Sequence, residues 1–293
     1  MTTTAPMTVT PVAGALGAVI EGVHPCDPDL DFAAVYRALL DHEVIFFPGA
    51  DLTEDEHLAF GARFGTPSIF PVARIRGATE PTLTVIRDEP GQKNAADAWH
   101  TDVTWIATPP KCALLQAVEV PERGGDTLWC SATAAYDALS PRFQALLDGM
   151  TAEHNAEGFF RRMWQKVADP TEMIEQLRRA YPPVEHPVVR THPETGRRAL
   201  MYAAMFMVRI VDLEPDESDA VMRFIADHVK DPSFHVRWKW RAGDLAIWDE
   251  RSTLHRAAAD HFPHPRTIRR LEIDGDRPYF DPDAPVVAPA AAS

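Results

Sequence analysis

The apolar positions divide the chain into many short elements. In DFAAVYRALLDHE (31–43), Phe32, Val35, Tyr36, Leu39 and Leu40 recur at three- and four-residue spacing, which predicts an amphipathic helix. The next six residues, VIFFPG (44–49), form a continuous apolar run closed by Pro48-Gly49, the mark of a buried strand. Thr53 with Glu56 three residues later is a capping box, opening a helix that carries Phe60 and Phe64. EPDESDAVMRFIADHVKD (214–231) predicts another amphipathic helix, with Pro215 near its start. Elsewhere the period drops to two: Val236, Trp238 and Trp240 alternate in FHVRWKW, GDLAIWD follows a glycine turn, and RTIRRLEI alternates again. AWHTDVTW (98–105) shows the same alternation and also reads as a strand, with His100 and Asp102 on one face. Neither an internal repeat nor a composition shift marks a second unit. These elements predict a mainly β core, a sandwich or barrel, with flanking helices.

Composition narrows the function classes. At 293 residues and 45% apolar content, the chain can bury one large core. Its formal net charge of −14 opposes binding to nucleic acid or to an anionic membrane surface. Cys26, Cys112 and Cys130 form no C-x-x-C pair and no dense framework, as expected in a reducing cytoplasm. No apolar run reaches the roughly 18 residues of a membrane span, and MTTTAPMTVTP lacks a basic segment followed by an apolar one. The expectation is a soluble cytoplasmic protein. Residues 1–7 and 284–293, poor in bulky side chains, are expected to fray.

The candidate chemistry begins at His100 and Asp102. A His-x-Asp pattern alone is weak evidence for a metal, and a third ligand is needed. His255, in GDLAIWDERSTLHRA (243–257), follows a predicted strand and a tight turn. Eleven residues on, Arg266, Ile268 and Arg270 lie at i, i+2 and i+4, so two guanidinium groups share a strand face. Two uncompensated cations on an internal face would cost roughly several kcal/mol, which anionic ligands would offset.

Longer motifs then come into view: WHTDVTW with TPP at 108–110, ERGGDTLW (122–129), HPVVRTHPETGRRAL (186–200), RIVDL (209–213) and GDLAIWDERSTLHRA. With these the chain resembles the taurine dioxygenase (TauD/TfdA) family of iron(II)- and 2-oxoglutarate-dependent oxygenases, from about GALGAVIEGV (14–23) to DGDRPYF (274–280). The resemblance implies a single domain over 8–283 with a double-stranded β-helix (jelly-roll, cupin-like) core, assembled as a dimer or tetramer. It implies Fe(II) as cofactor, held by His100, Asp102 and His255, with 2-oxoglutarate and O2 as co-substrates. Arg266 and Thr127 match the residues that hold the distal carboxylate of 2-oxoglutarate. Arg270 and the backbone amide of Val103 match the anchors of the substrate's anionic group, and Phe70, Phe159 and Phe206 match pocket-lining positions.

The implied reaction hydroxylates a small anionic substrate and releases succinate and carbon dioxide. Sulfite or sulfate, with an aldehyde, follows if the hydroxylated carbon bears the sulfur group. The match departs from the taurine pattern where Phe70 and Ala73 replace polar residues, and where Ala96 replaces an asparagine. A longer apolar anion therefore suits the expected pocket: an alkyl sulfate, a sulfonate or an aryloxy-carboxylate. Two other classes stay open, a zinc hydrolase using the same three ligands and a binding protein without catalysis.

Overall fold

The computed structural model describes residues 6–88, 97–164 and 170–288. Its strands are β1 (Thr8–Pro11), β2 (Ala18–Glu21), β3 (Val44–Phe47), β4 (Thr84–Asp88), β5 (Cys112–Glu119), β6 (Thr127–Ser131), β7 (Thr151–His154), β8 (Val184–Pro187), β9 (Val189–Thr191), β10 (Arg198–Leu200), β11 (Met207–Ile210), β12 (His235–Trp238), β13 (Leu245–Asp249), β14 (Thr253–Ala257) and β15 (Arg266–Ile273). The helices are α1 (Phe32–His42), α2 (Glu54–Ala62), α3 (Pro71–Ile75), α4 (Ala132–Asp137), α5 (Pro141–Leu147), α6 (Glu157–Met163), α7 (Thr171–Ala180) and α8 (Pro215–His228). No helix among the described residues is long and apolar enough to cross a membrane.

A seven-stranded sheet runs in the order β1-β2-β3-β13-β5-β15-β4 and is antiparallel except between β2 and β3. A smaller antiparallel sheet, β12-β6-β14, packs against one face of it. Val44 and Phe46 of β3, Ala113, Leu115 and Ala117 of β5, Ala246 and Trp248 of β13 and Ile268 of β15 meet Trp129 and Val236 of the smaller sheet. This is the jelly-roll core expected from the motifs. Its centre is aromatic: Phe46 stacks on Trp238 at 4.1 Å, and the Trp129 ring lies 5.5 Å from Phe46 and 5.7 Å from Trp248.

The alternate residues of the large sheet are buried too. Ile45, Phe47, Leu114, Ile247, Leu271 and Ile273 form a second core with Val35 and Leu39 of α1 and Phe60 of α2. Burial on both faces explains the unbroken apolar run VIFF. Helix α1 starts where the Asp31 carboxylate accepts the Ala34 N–H, and α2 carries the capping box read from Thr53 and Glu56. The helix expected over 214–231 is α8, ending at His228.

Two expectations change. FHVRWKW is strand only to Trp238. The strand expected across 98–105 does not form: extended pairing stops at an isolated bridge at His100, and the chain then turns with Val103 at φ 53°. A β-branched residue in the left-handed region persists only where its surroundings hold it there, and Val103 is buried. The apparent alternation arises because residues 99–105 are all buried, not because alternate faces differ.

Phe46 is fully buried between Trp129 and Trp238, so Phe46→Ala should leave a cavity that the rigid indoles cannot fill. The expected cost is about 3–5 kcal/mol. Urea unfolding should show it as a lower midpoint at unchanged slope.

Candidate active site

The site is built on one backbone bridge. His100 donates its N–H to the His255 carbonyl at 3.1 Å, and His255 donates back to the His100 carbonyl at 2.8 Å. This antiparallel pair brings the imidazoles to 4.2 Å between centroids. The turn that follows His100 swings Asp102 back, with its carboxylate 3.4 Å from His100 Nε2 and 3.8 Å from His255 Nε2. His100, Asp102 and His255 are buried, and one candidate ligand atom from each lies within 4.8 Å of the others. His100 Nδ1 is 2.8 Å from the Ala98 carbonyl, so with the proton on Nδ1 the Nε2 lone pair faces Asp102.

Electrostatics favours a neutral imidazole beside an anionic carboxylate. Burial, with His100 close by, lowers His255 to about 3. Burial pushes Asp102 upward, but the Arg270 cation and the two imidazoles outweigh it and hold Asp102 well below the usual carboxylate range. Arg270 Nη1 lies 2.7 Å from Asp102 Oδ2, and Arg270 Nη2 lies 3.3 Å from Glu272. Burial raises the Glu272 carboxyl to about 7, against the pull of Arg270.

Arg266 and Arg270 do share one face of β15, Arg266 buried and Arg270 half-buried, and line, with His100, His255 and Thr127, a cavity of ≈ 50 Å³. They are not the uncompensated cations expected from the sequence. Arg270 is paired with Asp102 and Glu272, and Arg266 lies 3.4 Å from Asp88 at the end of β4. These partners come from segments distant in the chain or from the same strand face, and only folding juxtaposes them. Each arginine still has a buried Nε with no hydrogen-bond partner among the described residues. Thr127 Oγ1 accepts from Arg266 Nη2 at 3.2 Å and from the Trp240 indole at 3.0 Å, leaving its own proton to donate.

Val103, Phe70, Phe159 and Phe206 come together in one apolar cluster with Trp105 and Phe160. The Phe159 and Phe206 rings are 5.2 Å apart, and the Arg270 guanidinium lies 6.0 Å from the Phe70 ring centre. Phe70 and Ala73 line a cavity of ≈ 640 Å³ with Val72, Phe160, Met163 and Trp164. Arg74 points instead to a ≈ 380 Å³ cavity bordered by Val103, Tyr181 and Glu272. Ala96 lies outside the described residues.

Sequence reasoning missed Glu250, Glu272, Asp88 and Trp240. Glu272 alone carried a signal, because it continues the i, i+2 series of Arg270 on β15.

The sequence model of the family described as Taurine catabolism dioxygenase TauD, TfdA family matches residues 5–271. The chain belongs to the TauD/TfdA family. This is the family expected from the motifs, and its members are 2-oxoglutarate-dependent dioxygenases rather than zinc hydrolases. The chain is 37% identical to the alpha-ketoglutarate-dependent sulfate ester dioxygenase of Pseudomonas putida, over 92% of this chain and 90% of that protein. It is 34% identical to the alkylsulfatase of Acinetobacter baylyi, over 90% of this chain and 84% of the relative. A taurine dioxygenase crystal structure from Burkholderia xenovorans superposes with a TM-score of 0.77 at 33% identity, covering 96% of this chain and 94% of that one.

The GGDTLW turn of this TauD/TfdA member offers a test of local geometry. Gly125 has φ 70°, and a Cβ there would stand 3.0 Å from Arg266 Cδ and 3.4 Å from His261. Gly149 has φ 81° and open space around its Cβ position. Gly149→Ala should therefore cost about 1–2 kcal/mol of backbone strain alone. Gly125→Ala should cost more, by about 1 kcal/mol or beyond, because Arg266 must also shift. Paired denaturant titrations measure the difference, and equal losses would mean that Arg266 gives way freely.

Proposed function

We propose that this dioxygenase hydroxylates a small anionic organosulfur compound, a sulfate ester or a sulfonate, using 2-oxoglutarate, O2 and Fe(II). The observation that carries the reading is the two arginines lining one cavity from one face of β15, beside a buried two-histidine, one-carboxylate group. Four residues along a strand separate their Cα atoms by about 13 Å. Two anions can thus be held near one metal ion without exchanging places. The relatives named for sulfate esters and alkyl sulfates support the substrate class.

The donor set fits iron(II): two imidazoles and a carboxylate suit that ion and leave coordination positions for other ligands. Iron, when bound, supplies the chemistry that activates dioxygen. The protein's own part is positional. Arg266 and Thr127 bind the distal carboxylate of 2-oxoglutarate, with the planar guanidinium as a fork. Arg270 and the Val103 amide anchor the sulfur oxyanion, and Phe70, Phe159 and Phe206 keep water from the reacting carbon. The products are succinate, carbon dioxide and a hydroxylated substrate. Hydroxylation at the carbon bearing the sulfur group lets it collapse to an aldehyde with release of sulfate or sulfite.

The rings of Phe70, Phe160 and Trp164 around the larger cavity favour a second reading, the same chemistry on an aryloxy-carboxylate. The catalytic unit spans 8–283 and acts in the cytoplasm as a homo-oligomer, a dimer or tetramer. Its partner is the small anion rather than nucleic acid or membrane, in keeping with the net charge of −14.

Alanine at His100, Asp102 or His255 should abolish both metal binding and succinate formation, since the site keeps only two protein ligands. Near wild-type succinate formation in one of these variants removes that residue from the ligand set. Arg266→Ala should weaken 2-oxoglutarate by about 2–5 kcal/mol whichever substrate is offered, whereas Arg270→Ala should spare it and abolish coupling. Anaerobic titration of the iron–2-oxoglutarate chromophore separates the two.

Specificity supplies the second test. The cavity beside Phe70 and Ala73 is walled largely by apolar side chains, and each methylene buried there contributes about 0.8 kcal/mol. A medium-chain alkyl sulfate should exceed taurine in kcat/KM by at least about tenfold, or 1.4 kcal/mol. Side-by-side kinetics at saturating 2-oxoglutarate decide it, and a preference for taurine would show that the apolar cavity is not the tail site.

A further inference from the structure

Glu250 is a buried acid that neither arginine contacts and that the proposed chemistry does not use. It lies in the connection between β13 and β14, 1% exposed, and its backbone N–H is tied to the Lys111 carbonyl at 3.0 Å. Both carboxyl oxygens are engaged. Oε2 accepts the backbone N–H of Asp102 at 3.1 Å, and Oε1 accepts the Trp248 indole N–H at 2.6 Å. The Trp248 ring in turn packs on the His255 imidazole, 4.9 Å between centroids at 56°. One side chain therefore reaches the backbone of one candidate ligand and the packing surface of another.

The Asp102 contact matters for geometry. Its amide enters the turn whose next residue, Val103, is held at φ 53°. Fixing that amide fixes the direction in which the Asp102 carboxylate leaves the backbone. Arg270 also holds Asp102, but through the carboxylate itself, the group a metal takes. Glu250 acts from behind, on the peptide, and keeps its hold whatever the carboxylate binds.

We propose that Glu250 is a positioning residue of the metal site, clamping the Asp102 turn through its backbone N–H while the Trp248 indole holds the other carboxyl oxygen. This rests on the reading of His100, Asp102 and His255 as metal ligands. The chemistry makes a sharp distinction from ordinary packing. A carboxyl group, ionised or not, keeps an acceptor lone pair on both oxygens. A carboxamide of the same shape has one acceptor and one NH2, which must face one of the two N–H donors. Glu250→Gln therefore preserves volume and breaks the clamp. Trp248→Phe removes the competing donor, so in Glu250→Gln/Trp248→Phe the amide oxygen can turn to Asp102 unopposed.

The test is anaerobic Mn(II) binding to the full chain, read as loss of the free-ion electron paramagnetic resonance signal, with melting of the metal-free protein alongside. Glu250→Gln is expected to weaken Mn(II) by about tenfold or more, in the range of lost outer-sphere partners. Trp248→Phe should stay within about threefold of wild type, and the double variant should recover to a similar level, a coupling that independent sites do not show. Wild-type affinity in Glu250→Gln would overturn the proposal. So would a loss that the double variant does not recover, which is how a plain core residue behaves. If the wild-type chain takes no Mn(II) or Fe(II), the metal reading itself falls, a result distinct from either.

Discussion

Two backbone hydrogen bonds between His100 and His255 are the constraint on which the site depends. They join positions 155 residues apart through a single bridge on the free edge of β14, whose other edge pairs with β6. A bridged pair places side chains a few ångströms apart with little freedom. The imidazoles are thereby set side by side before any ligand arrives. Everything else in the site is arranged relative to that pair: the turn that returns Asp102, the cavity below with Arg266 and Thr127, and the aromatic wall above.

Charge balance is the second requirement. The barrel mouth buries Asp102, Glu250, Glu272 and Arg266 and most of Arg270, groups whose isolated transfer from water would each cost several kcal/mol or more. The structure answers with pairing. Asp102 and Glu272 share Arg270, Asp88 lies beside Arg266, and Glu250 takes two N–H donors. Such a network has little slack, which favours side chains held in place before binding over side chains recruited by it. It also means that an anion reaching Arg270 must share that cation with Glu272.

The apolar layers decide where the network sits. The aromatic core around Phe46, Trp129 and Trp248 locks the two sheets face to face, and Trp248 carries that rigidity to His255. Helices α1 and α2 seal the outer face of the large sheet, so its central strands β3 and β13 are dry on both sides. The short helix α3 has Phe70 at its start and separates an apolar cavity from a more polar one. The body of the barrel therefore serves as support, and the segment 68–77 borders both cavities.

Much of this was legible in the amino-acid sequence. Periodicity located α1, α8 and β15, a capping box located α2, and apolar runs located β3 and β13, because burial and capping are set by local backbone geometry. The motifs identified the family, and they named His100, Asp102, His255, Thr127, Arg266 and Arg270, all of which fold into one mouth. The sequence misled at 98–105, where complete burial imitates strand alternation and the left-handed turn at Val103 leaves no glycine to mark it. It was silent on Glu250 and Asp88, and it read Trp240 only as a packing residue, not as the donor to Thr127. A buried acid reads like a surface acid until tertiary structure supplies its partner. Local rules specify which way a side chain points along its own element. Which charge it meets there is decided only when segments more than a hundred residues apart are packed out of water.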